Sequence, residues 1–436
     1  MFTLLETLRA TTPTALEGTV VRLAGAALGV ADFPAPMGAV VQVIGRDDAP
    51  RRGEVIGFDR NQAMVAALDP MDGVRAGDRV RLVRSKNWLR VGPELLGRIV
   101  NAHGQCIDGR PQPALIDRVP LERPGPSPTQ RPPINRPLAT GIRAIDGLLT
   151  CGRGQRLGIF AGSGVGKSVA LGMMARRSEA DVNVIALVGE RGREVNEFID
   201  RHLGPEGLAR SVVVVATSDE PALVRRRAAL VATAIAEYFR DTGREVLLAM
   251  DSLTRFALAQ REIGLAAGEP ATLRAFPPSV FAWLARLVER AGRTSAASIT
   301  AMYSVLVDAD DPNEPIADAV RGLLDGHVWL SRKLAARNHY PAIDILGSLS
   351  RSMPDVATAD HRTAAGVIRE VLATHRDHEE LITLGVYRRG TDSRVDRAIE
   401  MLPAIEAYLK QTVDERSTMD DASRELAMLA ARCDGG

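Results

Sequence analysis

The stretch A-G-S-G-V-G-K-S, Ala161 to Ser168, lies between R-L-G-I-F, which reads as a buried strand, and V-A-L-G-M-M-A-R-R, which reads as a helix. A strand that turns into a helix through three glycines forms a phosphate cradle, with inward-facing backbone N–H groups and the favourable dipole of the helix N-terminus. The candidate phosphate-binding loop is therefore Gly162, Ser163, Gly164, Val165 and Gly166. Lys167 follows with a charge that reaches β and γ phosphates, and Ser168 supplies a hydroxyl ligand to Mg²⁺. A glycine-rich turn without a ligand is the plainer reading, but the Lys-Ser pair directly after the last glycine speaks against it.

Working outward from that loop, the chain alternates continuous apolar runs with amphipathic segments. R-L-G-I-F-A-G, V-N-V-I-A-L-V-G-E, S-V-V-V-V-A-T-S and E-V-L-L-A-M-D-S each precede or follow a helical pattern. Such alternation requires a parallel sheet covered on both faces. Before it, Thr19 to Val83 holds short apolar runs broken by Gly, Asp and Pro near every ten residues, the spacing of a small antiparallel barrel. Nine of the 25 prolines fall between Pro111 and Pro137, which excludes a helix or central strand there and predicts an extended surface segment. Beyond Thr358 the spacing becomes helical. The expected architecture is an α/β P-loop (RecA-like) central domain at 86–357, an N-terminal β-barrel at 1–85 and a C-terminal helical domain at 358–436.

The chain has 436 residues, 45% apolar and 25% charged, so it is long enough for several domains and too apolar for disorder. Its net charge is +1, from 55 basic and 54 acidic residues, and this lacks the overall basic balance of a dedicated nucleic-acid binder. Cys106, Cys151 and Cys433 form no C-x-x-C pair, which disfavours a disulfide framework or zinc site and fits a reducing cytoplasm. No apolar run is long enough to span a membrane, and the N-terminus has no signal-peptide pattern.

A P-loop calls for an acid at the end of a neighbouring strand to hold the metal through water, and Asp251, ending V-L-L-A-M-D, meets that need. A third strand end carries G-E-R-G-R-E, where Glu190 is positioned to orient or polarise an attacking water and Arg191 to touch a γ-phosphate. A solvated charged turn is the alternative there. Arg225, Arg226 and Arg227 read as a solvated run, and His327 as a packing histidine.

P-A-I-D-I-L-G-S-L-S, Pro341 to Ser350, resembles the ten-residue signature of the rotary ATP synthase α/β subunit family. The P-loop, G-E-R-G-R-E-V and M-D-S-L-T-R-F-A match that family in order, and within it the chain is similar to the ATPases of type III protein export, flagellar first and injectisome next. The resemblance implies Mg²⁺-dependent ATP hydrolysis that drives export. It implies Glu190 as the catalytic carboxylate, Arg191 as a γ-phosphate contact, Asp251 as the Walker-B acid, Tyr340 as the aromatic packed on adenine, and Arg351 as an arginine finger offered to the next subunit. It also implies a homohexamer at the cytoplasmic side of the inner membrane. Its expected partners are a stator at the N-terminus, a central stalk, export-gate membrane proteins and chaperone-substrate complexes. Phe2, Leu5 and Leu8 share one face of Met1 to Arg9, a candidate stator-docking helix. Ala285 stands where the family leads one to expect proline. An RNA-dependent hexameric helicase is the competing class, but Thr14 to Val83 offers only Phe33 and Phe58 as base platforms, so no nucleic acid is expected. A regulatory subunit without turnover is a third reading, and Glu190 with Arg351 argues against it.

Overall fold

The computed structural model describes residues 15–24, 27–45, 49–272, 275–307, 311 and 314–434, so the candidate docking helix Met1 to Arg9 lies outside the described residues. The expected barrel consists of β1 (Glu17–Ala24), β2 (Ala27–Ala31), β3 (Val40–Ile44), β4 (Pro50–Asp59), β5 (Gln62–Ala67) and β6 (Arg79–Arg84). These close in the order β1-β2-β5-β4-β3-β6, with β6 returning to β1, which removes both sheet edges. Val20, Val30, Val41, Val43, Val65 and Val80 fill the interior and are wholly buried. β-Branched side chains suit such a pleated, half-buried surface. The run V-V-R-L-A-G-A-A-L-G-V is two strands rather than one, because β1 and β2 pair antiparallel across Ala24 and Ala27.

The barrel belongs to one compact unit, and the sheet and C-terminal helices belong to a second. β7 (Trp88–Val91) and β9 (Asp117–Pro120) form a two-stranded ribbon. The main sheet contains β8 (Arg98–Asn101), β10 (Arg156–Ala161), β11 (Val182–Glu190), β12 (Ser211–Thr217), β13 (Val246–Asp251), β14 (Gly292–Arg293), β15 (Ser298–Leu306), β16 (Gly326–Leu330) and β17 (Ile343–Ser350). Its order is β17-β16-β10-β15-β13-β11-β12-β8, with β14 beside β15. Every pair in it is parallel except those made by β14 and β17. Burial of β11, β12, β13 and β15 on both faces accounts for their unbroken apolar runs.

The proline-rich segment is extended, as its composition requires, and is clamped by charge. Glu237 on the helix Ala222–Asp241 accepts two bonds from Arg290, at 2.9 and 2.7 Å, and pairs with Arg123 at 2.9 Å. Arg290 also donates to the carbonyl of Leu121. On the same helix the arginine run is not the solvated stretch its charge suggested. Arg226 and Arg227 are buried: Arg226 stacks on Trp283 at 4.9 Å and Arg227 donates to the Ala102 carbonyl at 3.0 Å. A guanidinium is weakly hydrated and planar, so an aromatic face and a carbonyl can replace its water. Ala285 lies inside the helix Pro278–Val288, where alanine keeps the backbone N–H that proline lacks. His327 and Phe160 pack edge to face, and all three cysteines are buried and form no disulfide among the described residues.

Beyond Thr358 come the helices Ala359–Thr383, Ser393–Leu409 and Met419–Asp434. Thr358 and Asp392 cap the first two by accepting from the amides of His361 and Arg394. Ile368, Val395, Ala398, Ile405 and Leu426 form their buried seam. Among the described residues no helix is long and apolar enough to cross a membrane.

Glu237 and Arg290 are both about 97% buried as side chains, so removing one charge strands its partners. Glu237→Ala is expected to cost about 3–5 kcal/mol, read as a lower urea midpoint; a loss below about 1 kcal/mol would show that the clamp contributes little.

Candidate functional site

The C-terminal ends of β10, β11 and β13 meet at one edge of the sheet, and the residues singled out there converge. β10 runs through the loop into the helix Lys167–Arg177. Gly164 and Gly166 take φ of 79° and 98°, a region closed to most side chains, and this lets the chain reverse with its amides turned inward. Lys167 Nζ lies 2.8 Å from Asp251 Oδ1. Ser304 Oγ donates to the same oxygen at 2.7 Å, and Ser168 Oγ donates to Asp251 Oδ2 at 3.4 Å.

Glu190 arrives by a different device. β11 and β12 slip register between Val188 and Glu190, and Gly189 adopts φ 70° at that bulge, with the Arg255 side chain packed against it. The irregularity leaves Gly189 as the extra residue while Glu190 pairs with Thr217, and Glu190 lines a cavity of about 100 Å³ that it shares with Ser168, Glu194, His202 and Asp251. Burial pushes the Glu190 carboxyl up to about 7; the Asp251 charge and a hydrogen bond with Glu194 add to the shift, against the opposing pull of Lys167 and Arg255. Arg191 is not among the residues lining this cavity. Its guanidinium is exposed and 3.6 Å from Glu194.

The Ser168 hydroxyl and the Asp251 carboxylate form a pair of hard oxygen donors opening on the same small cavity. That fits Mg²⁺, which takes one or two protein oxygens and completes its shell with phosphate and water. No group of three or more His, Cys, Asp or Glu suited to a metal occurs among the described residues.

On the other side of the loop is a cavity of about 580 Å³, lined by Val165, Gly166, Val169, Met173, Tyr340 and Gln411 among others. Its size and apolar walls suit a nucleobase. Tyr340 is half exposed, and its ring approaches Gly166 closely.

Two residues of this cavity's support gave no motif. Arg143 donates to the carbonyls of Tyr408 and Lys410 at 2.7 and 2.6 Å and to Glu415 at 2.7 Å. Gln411 accepts from the Arg143 amide at 2.8 Å, donates to the Gly141 carbonyl at 3.0 Å, and bonds through its own amide to the Tyr340 carbonyl at 2.9 Å. Together they strap the 410–415 segment across the base pocket.

Arg351 is not in this cluster. Ser350 pairs with Gly326 and the Arg351 amide bonds the Asp325 carbonyl, beside Arg156 at the start of β10. From Arg156 to Ala161 β10 rises roughly 17 Å, so Arg351 and the phosphate loop occupy opposite edges of the sheet.

Residues 141–350 match the ATP synthase alpha/beta family nucleotide-binding domain, 20–83 the beta-barrel domain of that family, and 357–428 the T3SS EscN ATPase C-terminal domain. The flagellum-specific ATP synthase of Bacillus subtilis is 50% identical over 87% of this chain and 86% of its own length. The type 3 secretion system ATPase of Xanthomonas euvesicatoria is 51% identical over 93% of this chain and 92% of its own. The assembled ATPase EscN from the enteropathogenic E. coli type III secretion system superposes with a TM-score of 0.91 at 43% identity, covering 95% of this chain and 100% of that one. The chain therefore belongs to the ATP synthase α/β family, in the branch that holds the flagellar and type III secretion ATPases, and its activity is ATP hydrolysis.

Proposed function

We propose that this chain works as a homohexameric ring that hydrolyses MgATP at each subunit boundary and so drives the export of flagellar proteins. The observation that carries the reading is the convergence of Ser168, Asp251 and Glu190 on one small cavity at the end of the phosphate loop, with Lys167 paired to Asp251 beside it. In-line attack of water on the γ-phosphorus needs a positioned water and neutralised oxygens, with little covalent help from the protein. Glu190, ionised, orients the water and accepts its proton. Lys167 exchanges its Asp251 partner for the β and γ phosphates, and Asp251 and Ser168 hold the metal. Held by these two residues, Mg²⁺ would supply charge neutralisation to the phosphates. Tyr340 and the strap held by Arg143 and Gln411 fix the adenine, and Arg191 reaches the γ-phosphate from the exposed side.

Arg351 acts in trans. Its separation from its own loop along β10 exceeds what an arginine side chain spans, and the neighbour's loop is the remaining target. The solved EscN relatives are an assembled ATPase and a complex with the central stalk EscO. By that analogy a stalk threads this ring, which works at the inner membrane from the cytoplasm with export-gate proteins and chaperone-substrate complexes. The injectisome is the second reading, favoured by the Xanthomonas and EscN relatives. Loss of swimming in a strain lacking the chain supports the flagellar reading, and lost protein delivery with swimming intact supports the other.

Lys167→Ala is expected to abolish turnover, and near-normal phosphate release would overturn the loop assignment. Because Glu190 serves only when ionised and its carboxyl stands at about 7, turnover falls as pH drops through that value. Glu190→Gln keeps ATP binding, loses most turnover and lacks that acid limb; an unchanged limb would exclude Glu190 as its source. Arg351→Ala alone binds ATP but turns over about 10³-fold or more slowly. Co-assembled with Lys167→Ala it recovers part of its activity, because its intact loop borrows the neighbour's finger. No recovery in verified mixed rings would contradict action in trans.

A further inference from the structure

We propose that Gln155 is the positioning residue of the arginine finger. Its side chain ties the backbone of Arg351, which one subunit offers to its neighbour, to the strand that ends in that subunit's own phosphate loop. The proposal rests on the reading of Arg351 as a finger acting in trans.

Gln155 is fully buried, yet every polar atom of its amide is used. Its Nε2 donates to the Asp325 carbonyl and to Ser350 Oγ, each at 3.0 Å, and its Oε1 accepts from the Gly152 amide at 2.9 Å. Both Nε2 partners bear on the finger. The Asp325 carbonyl is also the acceptor for the Arg351 amide at 3.0 Å, and Ser350 immediately precedes Arg351 and donates to the Thr150 carbonyl at 2.8 Å. One amide nitrogen therefore sits between the two contacts that orient the finger's backbone.

The other side of Gln155 faces the sheet. Its carbonyl accepts from the Ala301 amide at 2.9 Å, and Arg156, the next residue, opens β10, whose far end is the phosphate loop. Arg156 in turn binds the Asp325 carboxylate through its backbone amide and guanidinium, at 2.9 to 3.0 Å, which steadies the same corner.

The Arg351 side chain is exposed, and among the described residues no carboxylate pairs with it, although Asp325 and Asp355 line the same open cavity. An arginine without a side-chain partner in its own chain is aimed only by its backbone. Misplacing a catalytic group by about 1 Å costs on the order of 10² in rate, so the hold of Gln155 on that backbone bears on turnover. Because this hold lies at the opposite end of β10 from the loop, it leaves the subunit's own ATP binding untouched.

The test uses full-length rings carrying Gln155→Met, which keeps the volume and removes the amide, and Ser350→Ala, which cuts the same link from the other side. Each is expected to lower kcat by roughly 10- to 100-fold, with KM for ATP within about two-fold of wild type and with ring formation intact by mass photometry. The distinguishing readout is complementation. Gln155→Met mixed with Lys167→Ala regains activity as the Arg351→Ala and Lys167→Ala mixture does, whereas Gln155→Met mixed with Arg351→Ala does not.

An unchanged kcat in both variants overturns the proposal. So does a raised KM at unchanged kcat, which would assign Gln155 to its own loop. Failure of Gln155→Met to be complemented while Arg351→Ala is complemented also overturns it and leaves the finger reading standing. If Arg351→Ala is itself not complemented, the finger reading falls and the proposal with it. Should Gln155→Met fail to form rings, the same comparison on Ser350→Ala decides.

Discussion

Parallel strands point their carboxyl ends the same way, and most of the chemistry here depends on that constraint. The ends of β10, β11 and β13 deliver the phosphate loop, Glu190 and Asp251 to one edge of the sheet, where open α/β sheets bind ligands. β17, which like the short β14 runs antiparallel to its neighbour, carries the chain back to the opposite edge before Arg351. The fold thereby separates a cradle from the charge that would complete it, by the length of one strand. On the proposed reading a nucleotide site made from both requires two copies of the chain, and β10 would join the halves of two successive sites.

Within the cradle the decisive quantity is unbalanced charge. Lys167 and Asp251 are nearly buried and paired at 2.8 Å, which offsets the desolvation each ion suffers. Among the described residues Glu190 has no such ion-pair partner. Burial and the Asp251 charge hold its carboxyl near neutrality, where a base can release a proton as readily as it accepts one. On the proposed reading, phosphates entering the site give Lys167 another anion, so that binding and charge rearrangement are one event. The base pocket is built by packing instead, with Tyr340 on one wall and the strap secured by Arg143 and Gln411 on another.

Much of this was legible in the sequence because it is local. The phosphate loop is eight consecutive residues between a strand and a helix, Asp251 and Glu190 each end an apolar run, and the barrel announces itself through its spacing. What escaped was long-range. Arg143 and Gln411 meet across 268 residues, and no periodicity records that pairing. Gln155 looks like an ordinary polar residue before a strand, and its role appears only when Asp325 and Ser350 arrive beside it. The edge strand β8 is four residues long and stands apart from the apolar runs of the sheet, ahead of the proline-rich segment. Arg226 and Arg227 depart from the pattern for a related reason, since a charge run predicts solvent only until Trp283 and the Ala102 carbonyl replace it.

The central claim is that a complete catalytic site exists only between two copies of this chain. It is tested most directly by phosphate release per chain measured across a dilution series, with the assembled fraction determined in parallel at each concentration. The account predicts that the rate per chain follows the assembled fraction and falls towards the rate of Arg351→Ala as rings dissociate. A rate per chain that stays constant while the protein becomes monomeric would contradict it.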